Sequence, residues 1–317
     1  MQAFKRILFV ADRSKGSAAA LRKVRELADH YGATLTLIDV IPDYAEHYVY
    51  PETGEGLTAL REALREDSKK ELSKLQQKSL PKTARNNRKQ QLPVVIREGT
   101  DYVEIIKQVS DGQFDLVAKA ANINSGLGAR LFGTLDLQLI RKCPCPVLVL
   151  KPRKKIDHSP ILAAVDLRRL PGKARNLDEK VMQFASSLAG MEEGQLDMIH
   201  ALDLPYEKKL LNEERVGLYK SVRKMSRELK QTEQAHLKAL ADEYALLNPV
   251  THMIKGKPEV VIPRFAKRHA IDLVIMGSVG RGGIAGFFIG NTAERLLHEL
   301  NCSVLTIKPA GFRTPVR

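Results

Sequence analysis

A chain of 317 residues, 44% hydrophobic and 28% charged, has a soluble globular composition and the length for two ordinary domains, each burying its own core. No apolar run approaches the roughly 18 residues of a membrane span. The opening MQAFKRILFVADRS lacks the apolar length and cleavage site of a secretory leader, and three cysteines make neither a disulfide framework nor a four-ligand zinc site, so a cytoplasmic protein is expected.

The formal charge of +14 favours anionic partners such as nucleotides, nucleic acid or acidic headgroups without choosing among them. The densest basic run, residues 78–89, holds Pro81, Asn86 and Asn87 and no aromatic side chain, which reads as a solvated loop rather than a base-stacking platform.

In chain order, residues 7–12 (ILFVAD) form a buried-strand run ending in an acid. A helix over about 17–31 follows, with Leu21, Val24, Leu27 and Ala28 on one face, then a strand over 34–40. A polar connection with a turn at Pro51, Glu52, Thr53 and Gly54 leads into a charged helix over about 57–79. Strands over 93–97, 116–120 and 147–150 then alternate with helices over 102–109 and about 134–142, completing five strands and four helices. A polar linker begins at Lys151.

The second half repeats this order. Residues 161–166 (ILAAVD) answer 7–12, and at one constant offset Asp115 answers Asp272, Gly133 answers Gly290, Cys145 answers Cys302, and VLVLKP answers VLTIKP. Cys145 and Cys302 read as small core hydrophobes. The helix after the second strand is longer here: Leu218, Val222, Met225, Leu229, Leu237, Leu240 and Tyr244 keep a three-four spacing, predicting a core-facing stripe.

The most informative stretch is 272–309, an apolar run, a glycine-rich loop, an amphipathic segment and a second apolar run. It is a parallel crossover whose loop opens at the carboxyl end of a strand, where open sheets bind ligands. No Lys follows the glycines as a P-loop requires. Gly280, Gly282 and Ala285 match a dinucleotide fingerprint weakly, without its later acid. The third pattern is Gly277-x2-Gly280-x9-Gly290, followed by Asn291 and Thr292. Asn291 also reads as a helix N-cap, with Glu294 as its capping-box partner.

On that glycine pattern, and on the repeat, the chain resembles the universal stress protein family over nearly its whole length. The resemblance implies an α/β fold of two tandem open parallel sheets of strand order 3-2-1-4-5, over residues 1–152 and 159–311, forming an internal pseudo-dimer. It further implies that ATP or a related nucleotide, with or without Mg, binds the second domain. The implied contacts are Asp166 beside the nucleoside, Ala201 at the base, and Gly277, Ser278, Gly280, Arg281, Gly290, Asn291 and Thr292 around the phosphates, with Met276 also among the implied cofactor-binding residues. Asn291 stands where the family has Ser or Thr. In the first half Asp12, Gly133 and Thr134 survive, but Ala120 and Ile123 replace two glycines, so a degenerate site is expected.

The expected role is a stress-response sensor or interaction module, with a homodimer of tandem chains as a further partner. The alternatives are a binder of RNA or of an anionic or amphiphilic small molecule, and a weak ATPase. No carboxylate pair lies in sequence proximity to Arg281, so catalysis is poorly supported. His200 and His252, near the ends of neighbouring strands, read as hydrogen-bonded histidines rather than zinc ligands.

Overall fold

The computed structural model describes residues 4–14, 16–43, 54–81, 91–122, 132–151, 159–167, 175–204, 216–278 and 290–316. They form two compact units, one holding the first five strands and the other the last five.

The first unit runs β1 (Arg6–Val10), α1 (Ser17–Tyr31), β2 (Thr34–Ile41), α2 (Gly54–Ser79), β3 (Val94–Glu98), α3 (Asp101–Asp111), β4 (Leu116–Ala120), α4 (Thr134–Lys142) and β5 (Val147–Leu150). Its strands lie in the order β3-β2-β1-β4-β5, all parallel. Ile7, Leu8 and Phe9 on β1 are all fully buried, so consecutive side chains on both faces are covered. That is the reason β1 reads as a continuous apolar run instead of an alternating one. α1 packs on α2, and α3 on α4. The stripe of α1 is Ala20, Leu21, Val24, Leu27 and Ala28, and Gly32 ends the helix at φ 63, a conformation that costs a residue with a Cβ.

The chain steps from β1 to β2 to β3 and then crosses to β4 on the other flank of β1. This reversal opens a crevice at the carboxyl ends of β1 and β4, a topological switch point.

The second unit repeats the plan with β6 (Ile161–Val165), α5 (Arg175–Glu192), β7 (Leu196–Leu202), α6 (Val216–Asp242), β8 (Val250–Lys255), α7 (Pro258–Arg268), β9 (Leu273–Gly277), α8 (Asn291–Glu299) and β10 (Ser303–Ile307). Its order is β8-β7-β6-β9-β10, again parallel. Even the register repeats: Val10 faces Lys119 in the first unit as Ala164 faces Met276 in the second.

Two expectations change. Gly290, not Asn291, caps α8; Asn291 is the first helical residue, so the Asn291–Glu294 capping box does not form. The stripe of α6 also differs. Val222, Leu237 and Leu240 are buried, but Met225 and Leu229 are exposed, and the buried line passes instead through Glu233. A side chain every three or four residues can follow two adjacent lines on a helix, and a polar partner in the core selects the second. The turn residues Pro51, Glu52 and Thr53, most of the basic run at 78–89 and the linker after Lys151 lie outside the described residues, as does Ile123.

Candidate functional site

The second-unit site is built from the carboxyl ends of β7, β6 and β9 and the start of α8. β9 ends at Gly277, and the next residue, Ser278, is fully buried. Ser278 donates its amide to the Ile307 carbonyl at 3.0 Å and its hydroxyl to the same oxygen at 3.2 Å. The Gly290 amide donates to the Ser278 carbonyl at 3.1 Å. One hydrogen bond therefore ties the two ends of the glycine loop together and sets α8 at the rim of the sheet. Gly280 and Arg281 lie outside the described residues.

Asn291 and Thr292 are exposed, and among the described residues no side chain caps the start of α8. First-turn amides without a cap, at the positive end of the helix dipole, suit an anion. Met276 is buried between Ala164 of β6 and Thr306 of β10. Asp166 follows β6, and its amide donates to Asp178 Oδ1 of α5 at 3.0 Å. Ala201 lies one residue beyond the Val165–His200 pairing and is buried. The described site residues thus converge on neighbouring strand ends.

Gly277 has a second role. A Cβ there would stand 2.6 Å from Leu177 Cδ2 of α5, so the missing side chain lets the helix approach the strand.

Two polar links were not anticipated from the residues alone. His200 and Glu233 are both buried, with Nε2 2.7 Å from Glu233 Oε2 and Nδ1 3.1 Å from the Val165 carbonyl. Nδ1 is also 3.4 Å from the Leu167 amide, so the pair braces the turn that carries Asp166. His252 pairs with Asp197 at 2.6 Å and packs on Phe265. His252 stands opposite Ile199 and not His200, so the two histidines project from opposite faces of the sheet and share no ligand. Among the described residues, no cluster of three or more metal-ligating side chains forms.

The same place in the first unit is charged. Asp12 Oδ1 accepts from the Ser14 amide and hydroxyl at 3.0 and 2.6 Å. Lys119 is buried on β4, with its ammonium 2.5 Å from Asp136 Oδ1, 2.7 Å from the Ala120 carbonyl and 3.7 Å from Asp12 Oδ2. Asp136 Oδ2 accepts the Gly133 amide at 2.8 Å. Burial pushes the Asp136 carboxyl above the ordinary carboxylate range, against the pull of Lys119 and the Gly133 amide. Beside Asp12 a cleft of about 250 Å³ opens, lined by Ser17, Asp39, Leu72 and Leu75 among others. Asp39 accepts the Ser68 hydroxyl of α2 at 2.7 Å. The one sequence sign of the buried pair was an acid three residues after Gly133, in the first turn of a helix.

Strand order, register and switch-point crevices define a tandem pair of doubly wound α/β domains. The family model for the universal stress protein family matches residues 3–151 and 159–308, and the chain belongs to that family. It is 30% identical to universal stress protein E of Photorhabdus laumondii over 230 residues, 70% of each chain. It is 27% identical to universal stress protein E of Escherichia coli K12, across all of this chain and 98% of the relative. Among solved structures, a putative universal stress protein from Pseudomonas aeruginosa UCBPP-PA14 aligns at 26% identity and TM-score 0.65, over 97% of this chain and 94% of its own. A universal stress protein from Archaeoglobus fulgidus, at 16% identity and TM-score 0.64 over 96% of this chain and 98% of its own, shares the fold.

Proposed function

We propose that this is a cytoplasmic stress-response protein whose second domain, residues 159–311, binds ATP or a related nucleotide and acts as a sensor or interaction module, with residues 1–152 forming the companion domain. The observation that carries this reading is the convergence of Asp166, the end of β9 and the uncapped start of α8 on one crevice, closed by the Gly290–Ser278 hydrogen bond. Electrostatics orients the ligand. Asp166 repels phosphate and accepts from ribose hydroxyls or base amines, while the first-turn amides of α8 attract the phosphates. Mg²⁺ would travel with those phosphates, since it keeps much of its water shell and needs few protein ligands.

Native mass spectrometry of the full chain with Mg-ATP tests the reading, with one nucleotide per chain expected. Asn291→Asp adds a carboxylate in the first turn of α8, which the helix dipole accepts but a phosphate does not. Its expected effect is a Kd weakened at least about tenfold with the melting temperature unchanged or slightly raised. A wild-type chain that takes no nucleotide, or an N291D chain with unchanged affinity, would refute the proposal.

A further inference from the structure

The two switch points differ in a way that neither the fold nor the glycine loop requires. Lys119 and Met276 hold one register position, opposite Val10 and Ala164 respectively. Asp136 and Ala293 hold another, each three residues past the glycine that caps its helix. In the second unit both side chains are apolar. In the first they form an ion pair whose side chains are 3% and 0% exposed.

The placement of Asp136 gives the pair a consequence beyond packing. Its Oδ2 takes the Gly133 amide, so a carboxylate supplied by the chain lies at the start of α4. The corresponding amide in the second unit, that of Gly290, donates to the Ser278 backbone carbonyl instead, and among the described residues no side chain caps that helix start. An anion approaching α4 meets a resident carboxylate, and a second carboxylate, Asp12, lies 3.7 Å from Lys119. At the helix start itself the two carboxylates outnumber the one ammonium they contact, Lys119.

The replacement of Gly277 by Ala120 is a weaker explanation for the difference. At this register in the second unit a Cβ would meet the covering helix, as the 2.6 Å approach to Leu177 shows.

We propose that Lys119 and Asp136 are the specificity-determining residues of the first domain: Asp136 is a built-in anion that closes the start of α4 to phosphate, and Lys119 is the counter-charge that makes the buried carboxylate tolerable. This rests on the nucleotide reading of the second domain in one respect, that the start of α8 is where phosphate goes. The tandem chain then carries one phosphate-accepting crevice and one that rejects phosphate, although both keep the same strands, register and capping glycine.

Exchanging the pairs tests this. M276K/A293D installs the ion pair in the second domain, and K119M/D136A removes it from the first, each followed by native mass spectrometry of the full chain with Mg-ATP and by circular dichroism melting. The expected occupancies are one nucleotide for the wild type, none for M276K/A293D and two for K119M/D136A. A folded M276K/A293D chain that keeps wild-type occupancy overturns the assignment, as does a folded K119M/D136A chain that gains no nucleotide. Should M276K/A293D not fold, K119M/D136A decides. A wild-type chain without nucleotide overturns the second-domain reading instead. K119M/D136A again decides the fate of the pair in that case, a gained nucleotide upholding its closing role and none overturning it.

Discussion

At Gly277 one absent methyl group sets how closely α5 approaches β9. Leu177 fills the space, and any side chain at 277 must displace its terminal methyl. Gly277→Val is therefore expected to cost about 1–3 kcal/mol through overpacking. Trimming the partner in G277V/L177A should recover part of that loss, because residues in contact do not add independently. Urea unfolding of the single and double variants checks it, and additive losses would show that Leu177 is not the neighbour that matters. A loss of nucleotide binding in a Gly277 variant thus reports packing before it reports phosphate contact. His200 and Glu233 carry the same lesson: the strand histidine and the helix carboxylate are both buried and linked at 2.7 Å, directly beneath the turn that holds Asp166.

The start of α4 is an element held by charge. Asp136 folds back on the Gly133 amide and contacts Lys119, but burial outweighs both and raises the carboxyl pKa. A carboxyl whose folded pKa is raised holds its proton more tightly folded than unfolded. Its contribution to stability is complete below the unfolded value near 4 and is lost as pH rises through the folded value. Asp136→Asn mimics the protonated form at every pH. Melting curves from about pH 4 to 7 should therefore show the difference between D136N and wild-type chains moving in favour of the variant as pH rises. Movement in the other direction would mean that the attraction of Lys119 exceeds the cost of burial. Among the described residues no side chain caps the start of α8, so the two helices, matched in position and length, differ in the charge carried at their starts.

At the scale of the whole molecule, the charge of +14 draws anions of every kind, and site geometry must separate a specific ligand from that background. Association with mixed-sequence RNA should fall more than about tenfold between roughly 50 and 200 mM salt, as counterion release dictates. Filter binding across that range checks it, and salt-resistant binding with a preference for one RNA would favour the RNA alternative over the nucleotide reading. Much of the molecule was legible from local pattern. Buried parallel strands write themselves as apolar runs, α1 as a three-four stripe, and a duplicated domain as matched residues such as Asp115 with Asp272 and Gly133 with Gly290. Those patterns also led to the glycine loop and to Asp166, since ligands gather where a parallel sheet reverses its strand order. The partners of individual side chains were decided only by tertiary structure. Periodicity says which face of an element is covered and nothing about what covers it. Glu233 entered the line of α6 that faces the core because His200 waits there, Gly277 is small because Leu177 is large, and Lys119 and Asp136 acquire meaning only when β4 and α4 bring their charges into contact out of water.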